Sequence, residues 1–69
     1  MNIKINGTDE TLTQTKLTIS QLLTLKDVTM PDMVSVELNG DILDREAFET
    51  TSVSDGDAVE FLYFMGGGK

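Results

Sequence analysis

The residues of this sequence that could take part in chemistry lie at its C-terminal end, where Gly66, Gly67 and Gly68 precede Lys69. Glycine has no Cβ atom, so this segment is as thin as a polypeptide can be and keeps its backbone freedom. Such a tail can be threaded into a narrow channel of a partner until its terminal carboxylate meets reactive groups there. A frayed chain end is the alternative interpretation. The apolar, aromatic run over residues 60–65 directly before the glycines favours the first interpretation, in which a partner binds the tail.

The composition excludes most catalytic chemistry. The 69 residues include no Cys and no His, which excludes most zinc sites and the Ser-His and Cys-His nucleophile pairs. Twelve Asp and Glu against five Lys and Arg give a formal net charge of −7. That charge disfavours nucleic acid and anionic membranes, and it favours a partner with a basic docking face. Because no apolar run approaches the length of a membrane span, we expect a cytoplasmic protein.

Asp55 and Asp57 flank Gly56, and paired carboxylates of this kind can belong to a metal-binding loop. A calcium loop needs several more oxygen ligands at regular spacing, ending in a bidentate Glu, and these are missing, so we expect no metal site. We interpret the segment as a tight turn in which Asp57 accepts hydrogen bonds from nearby main-chain amides. Four other carboxylates predict a solvated acidic face around Arg45, which we expect to form local ion pairs. They belong to Asp41, Asp44, Glu46 and Glu49.

The first part of the chain predicts a β-hairpin followed by a helix. Residues 1–6 alternate apolar and polar side chains, which places Ile3 and Ile5 on one face of a half-buried strand. Asn6-Gly7 predicts a turn, because both residues tolerate positive φ. We expect the second strand of the hairpin over residues 11–17, with Leu12 and Leu17 pointing inward.

Thr18 and Gln21 have the spacing of a capping box, which predicts a helix that begins here and ends near Lys26. Its apolar face, at i, i+3 and i+4, consists of Ile19, Leu22 and Leu23. The stretch 27–33 contains Pro31 and is expected to be a loop.

Further strands follow in the second half. Apolar and polar side chains alternate clearly over residues 34–38, which predicts an interior strand. Asn39-Gly40 predicts a turn after it, and residues 42–43 predict a brief return strand. Residues 44–48 predict a short helical or 3₁₀ turn anchored by Phe48, and residues 58–65 form the last strand.

This order of elements predicts an α+β fold. A single helix would pack across one face of a mixed sheet, with the first and last strands adjacent and parallel at its centre. This is the β-grasp arrangement of ubiquitin-like domains. We therefore expect one β-grasp domain over residues 1–65 and a flexible tail over residues 66–69.

The last strand also predicts a docking surface. If Val59, Phe61 and Tyr63 face the helix, the intervening side chains lie on the uncovered face of the sheet, beside the tail. Exposed apolar side chains there would bind a partner. The predicted docking residues are Leu62, Phe64 and Met65.

Several of these features occur in a familiar order: VELNG over residues 36–40, Arg45, DGD over residues 55–57, and an apolar strand that runs into Gly67-Gly68. Their order and spacing resemble the ThiS branch of the ThiS/MoaD sulfur carriers, over essentially the whole chain. The interval from the Gly-Asp pair to the Gly-Gly pair is the most specific part. The resemblance implies a ubiquitin-like carrier that is not itself an enzyme, binds no cofactor and is a monomer when alone.

The resemblance also implies a reaction sequence for the tail. A ThiF-like, ATP-dependent activating enzyme would adenylate the carboxylate of Gly68, and sulfur from a persulfide protein would replace AMP to give a thiocarboxylate. A sulfur-accepting synthase, thiazole synthase in the thiamin pathway, would then use that sulfur. Glycine suits the acyl position because no side chain hinders attack.

Lys69 departs from the family pattern, in which the chain usually ends at Gly-Gly. While Lys69 is present, the carbonyl of Gly68 is held in an amide and cannot be adenylated. We therefore predict that a peptidase, such as a JAMM-class metalloprotease, removes Lys69; a cloning remnant or an unprocessed form is the alternative. Three other functions stay open: a carrier for methionine and homocysteine synthesis, a molybdopterin synthase subunit, or a modifier attached to lysines of other proteins.

Overall fold

A computed structural model describes residues 1–28 and 33–63 of the chain. In these ranges the chain forms seven strands, one α-helix and one 3₁₀ turn. In chain order they are β1 (Asn2–Ile5), β2 (Thr8–Thr11), β3 (Leu17–Thr18), α1 (Ile19–Leu25), β4 (Val34–Leu38), β5 (Asp41–Leu43), the 3₁₀ turn (Arg45–Ala47), β6 (Ser52–Val53) and β7 (Ala58–Tyr63).

The main sheet is mixed and has the strand order β2-β1-β7-β4-β5 within the described residues. β1 and β7 are parallel, with Lys4 opposite Ala58 and Ile5 opposite Val59. The neighbouring pairs are antiparallel, and β3 pairs with β6 in a separate small sheet. The predicted α+β, β-grasp fold with its parallel central pair is therefore confirmed.

The prediction for the second strand of the hairpin is wrong. Asn6 (φ 51) and Gly7 (φ 83) form a two-residue turn, so the chain re-enters the sheet at once and Thr8 lies opposite Ile5. β2 is thus polar throughout and lacks the apolar alternation that indicates a strand. Leu17, which the prediction placed at the end of this strand, is buried as expected but pairs with Val53 of β6.

The predicted helix is confirmed at both ends. The Thr18 hydroxyl accepts a hydrogen bond from the Gln21 amide (3.1 Å), and the Gln21 side chain accepts one from the Thr18 amide (2.9 Å). A capping interaction of this kind stabilises a helix by about 1 kcal/mol. The helix ends where Asp27 adopts φ 59 and the Val28 amide donates to the Leu23 carbonyl at 3.0 Å, a Schellman motif.

The core lies between α1 and one face of the main sheet. Its buried side chains are Ile3, Ile5, Leu17, Ile19, Leu22, Leu23, Val34, Val36, Phe48, Val53, Val59 and Phe61. Phe48 follows the 3₁₀ turn and anchors it as predicted, since its side chain is buried and its carbonyl accepts a hydrogen bond from the Ser20 amide (2.9 Å).

The remaining predicted elements are confirmed as far as the structure describes them. Asn39 (φ 52) and Gly40 (φ 89) turn the chain between β4 and β5. The expected loop over residues 27–33 includes residues 29–32, and the last strand was expected to reach residue 65; residues 29–32 and 64–65 lie outside the described ranges. No helix of the described residues is long and apolar enough to cross a membrane.

Candidate docking surface

Several predicted site residues lie outside the described ranges. They are Phe64, Met65, Gly66, Gly67, Gly68 and Lys69. The described part of the site consists of β7, the strand that precedes these residues, and of the elements that hold it.

β7 lies in the middle of the main sheet, between β1 and β4. Two asparagine side chains supplement the ladder bonds on its two sides. The side-chain oxygen of Asn39 accepts a hydrogen bond from the Ala58 amide (2.9 Å), and that of Asn6 accepts one from the Phe61 amide (2.8 Å). Both asparagines have left-handed φ values and precede a glycine of a two-residue turn. The turn residues between neighbouring strands thus also hold the last strand.

The turn before β7 is fixed by carboxylates. Asp57 accepts hydrogen bonds from the Ser54 amide (2.8 Å) and from the side-chain amide of Asn39 (3.0 Å), and Asp55 accepts one from the Asn2 amide (2.6 Å). The predicted turn role of Asp57 is confirmed. No group of three potential metal-ligating side chains occurs among the described residues.

The side chains of β7 alternate between the core and the open face of the sheet. Val59 and Phe61 are buried, whereas Leu62 is 41% exposed, as the alternation predicts. Tyr63 was expected to follow Val59 and Phe61 into the core, but it is 53% exposed. Tyr63 lies in the last row of the β4–β7 ladder, opposite Val34, the first residue of β4, and so at the end of the sheet.

The register shows which side chains share the open face with Leu62. Leu62 lies opposite Ser35 of β4. The next row consists of Glu60 opposite Glu37, and Glu37 opposite Ile42 of β5. Ile42 is 62% exposed. Two exposed aliphatic side chains and two carboxylates therefore lie together on the open face, across β7, β4 and β5.

Sequence reasoning identified Leu62 but missed Ile42, Glu37 and Glu60. The alternation within β4 indicates that Glu37 points away from the core. Its position opposite Glu60, however, depends on the register of two strands that are distant in sequence, and no local pattern reports that register.

The predicted acidic face is exposed as expected. Asp41, Asp44, Glu46 and Glu49 are all accessible to solvent. The guanidinium of Arg45, beside them, donates a hydrogen bond to the Val34 carbonyl (3.0 Å) and so ties the 3₁₀ turn to β4. The ion pairs expected of Arg45 stay a prediction.

Comparison with known proteins places this geometry in a family. The model of the ThiS family matches residues 3–68, which includes the Gly-Gly pair. No curated protein matches the chain.

Solved structures match it over nearly all of its length. The crystal structure of the thiamine biosynthesis protein (ThiS) from Geobacter metallireducens is 52% identical, covers 99% of this chain and 100% of its own, and has a TM-score of 0.89. A solution NMR structure of a thiamine biosynthesis protein from the same organism is 53% identical, covers 100% of this chain and 90% of its own, and has a TM-score of 0.83. The resemblance inferred from the order of the motifs is confirmed, and the chain belongs to the ThiS family.

Proposed function

We propose that this protein is a sulfur carrier of thiamin biosynthesis that works in the cytoplasm, and that its C-terminal carboxylate, on Gly68, is the group that carries sulfur. The family match through residue 68 and the two similar proteins described as thiamine biosynthesis proteins support this proposal. The observation that carries it is the position of β7. This strand is hydrogen-bonded to strands on both sides, and only Phe64 and Met65 separate its last residue, Tyr63, from Gly66, Gly67 and Gly68 in the sequence.

The chemistry of the tail proceeds in steps that a partner must catalyse. A carboxylate is a poor electrophile, so an activating enzyme of the ThiF type joins it to AMP from ATP and releases pyrophosphate. The terminal sulfur of a persulfide then attacks the acyl carbon, and AMP leaves. Cleavage of the resulting acyl disulfide by a thiol gives the thiocarboxylate. Because this chain contains no Cys, both the persulfide and the thiol belong to other proteins, and ATP is a substrate of the activating enzyme.

Lys69 must leave before this chemistry can begin. The amide between Gly68 and Lys69 has no free carboxylate to adenylate, so we assign Lys69 to a precursor form that a peptidase, such as a JAMM-class metalloprotease, processes. Gly66 and Gly67 then allow the processed end to enter the active sites of the activating enzyme and of thiazole synthase, because neither residue has a side chain.

The open face beside the tail is the proposed docking surface. Leu62 is exposed there, and we propose that it binds the activating enzyme together with Phe64 and Met65. A rigid docking contact close to the tail would hold Gly68 near the reactive phosphate of ATP, which lowers the entropic cost of adenylation.

An in vitro reconstitution tests the proposed function. The chain without Lys69 and the full chain are each incubated with the ThiF-like enzyme, ATP and a persulfide donor, and intact masses are measured. We expect the shortened chain to gain the mass difference between sulfur and oxygen, whereas the full chain stays unchanged until the peptidase is added. A shortened chain that is never adenylated would contradict the proposal.

Lys69 itself favours a second candidate, a ubiquitin-like modifier synthesised as a precursor. A modifier would become joined through Gly68 to lysines of other proteins instead of ending as a thiocarboxylate. Mass spectrometry of the protein purified from its host distinguishes the two, because a modifier yields isopeptide-linked peptides. Accumulation of the thiocarboxylate that responds to methionine or molybdopterin demand, rather than to thiamin demand, would indicate one of the other sulfur pathways.

A further inference from the structure

Glu37 and Glu60 lie directly opposite each other on the neighbouring strands β4 and β7. Both side chains point to the open face, because the residues that flank them in β7 and β4, such as Val59, Phe61 and Val36, are buried in the core. Directly opposed side chains in an antiparallel pair have Cβ atoms about 5 Å apart, and like charges in this position destabilise the sheet. The pair therefore does not stabilise the isolated domain.

No cation of the described residues compensates the two carboxylates. Lys4 is on the same face of the sheet, but its ammonium group binds Asp9 at 3.1 Å. Lys26 binds Glu10 at 2.7 Å, at the C-terminal end of the helix. Within residues 1–28 and 33–63, no salt bridge from a Lys or Arg nitrogen reaches Glu37 or Glu60.

The surroundings of the pair are apolar on two sides. Ile42 is the other cross-strand neighbour of Glu37, and Leu62 follows Glu60 on the same face of β7. Ile42 is 62% exposed and Leu62 is 41% exposed. Paired carboxylates with aliphatic neighbours suit a guanidinium group, since it is planar, donates several parallel hydrogen bonds and is more weakly hydrated than an ammonium group.

We propose that Glu37 and Glu60 bind an arginine side chain of the activating enzyme, with Ile42 and Leu62 forming the apolar border of the contact. The identity of this partner rests on the proposed function. The net charge of −7 favours approach of a basic surface. The carboxylate pair then supplies a specific binding site for one arginine of that surface. The repulsion between the carboxylates, which destabilises the free domain, is relieved when the arginine binds.

The proposal predicts that removing either charge lowers the binding affinity without lowering the stability of the domain. Glu60→Gln removes the repulsion while keeping the size of the side chain, so the melting temperature of the isolated domain should rise or stay constant. The affinity for the activating enzyme should fall about tenfold, since a charged hydrogen-bonded contact is lost. Glu37→Gln should behave in the same way, and the double variant should lose less affinity than the two single losses combined.

Glu49→Gln is the matched control. It removes the same charge from an exposed position outside the main sheet, so it reports the effect of net charge alone. Affinity is measured by calorimetry with the chain lacking Lys69 and the ThiF-like enzyme in the absence of ATP, and thermal unfolding is measured on the same samples.

The outcomes separate this inference from the proposed function. If the wild-type chain binds and becomes a thiocarboxylate while both Gln variants bind like the Glu49→Gln control, the arginine contact is wrong and the carrier function stands. If Mg²⁺ or Ca²⁺ raises the melting temperature of the wild type but not that of the double variant, the pair is a cation site and the proposal is overturned. If the wild-type chain neither binds the enzyme nor is modified by it, both proposals fail.

Discussion

Asn6 has two structural roles at once, and they can be separated by mutation. Its positive φ allows the two-residue turn, and its side-chain oxygen accepts the Phe61 amide at 2.8 Å. Glycine keeps the turn but lacks the acceptor. We therefore expect Asn6→Gly to reduce the free energy of unfolding by about 1 kcal/mol and to accelerate hydrogen exchange at the Phe61 amide. Asn6→Ala should cost more, because it also strains the turn. Equal costs in urea unfolding would mean that strain in the turn contributes nothing, and an Asn6→Gly variant as stable as the wild type would mean that the side-chain acceptor contributes nothing.

Gly68 is expected to matter for chemistry and not for folding. Gly68→Ala in the chain lacking Lys69 places a methyl group beside the acyl carbon, so we expect slower adenylation and slower sulfur transfer with an unchanged melting temperature. Pyrophosphate release and intact mass measure the two steps. Thiocarboxylate formation at the wild-type rate would contradict the steric argument for glycine at this position.

At the scale of the element, the outward face of β7 can be compared with the outward face of α1. Leu62 and Leu25 are exposed to nearly the same extent, 41% and 42%, on opposite sides of the molecule. Leu62→Ala should weaken binding to the activating enzyme about tenfold, as expected when an apolar side chain that an interface buries is truncated, whereas Leu25→Ala should not. Calorimetry measures the affinity of both variants. Equal affinities would show that the docking surface does not lie on the open face.

The elements also show which parts of the fold the sequence predicts and which it does not. The helix was predictable because its capping box and its apolar spacing are local. β2 was misplaced because a strand of Thr, Asp, Glu and Thr carries no apolar alternation, and only the length of the turn at Asn6 and Gly7 determines where it begins.

The candidate site was predictable to a smaller extent. The exposure of Leu62 follows from the alternation within β7, and the role of the Gly-rich tail stays a prediction from composition. The exposure of Tyr63 and the pairing of Glu37 with Glu60 follow instead from the register of the β4–β7 ladder and from where that ladder ends. These long-range registers arise from the packing of the whole sheet.

At the scale of the whole molecule, the net charge of −7 should control the rate of encounter with a basic partner. Salt screens long-range attraction, with a Debye length of about 10 Å at 0.1 M. We therefore expect the association rate constant with the activating enzyme to fall as ionic strength rises, while the dissociation rate constant changes less. Stopped-flow measurements at several salt concentrations test this. An association rate that is independent of salt would show that the acidic surface does not guide the encounter.

The central position of β7 has a mechanical consequence. A partner that draws on the chain beyond Tyr63 pulls along the axis of this strand, whereas its hydrogen bonds to β1 and β4 lie across that axis. The bonds on both sides, including the one to the Asn6 side chain, are then loaded together in shear and do not open one after another. The domain should therefore resist force applied at its C-terminal end, and an active site can hold the tail under tension while the sheet that presents it stays folded.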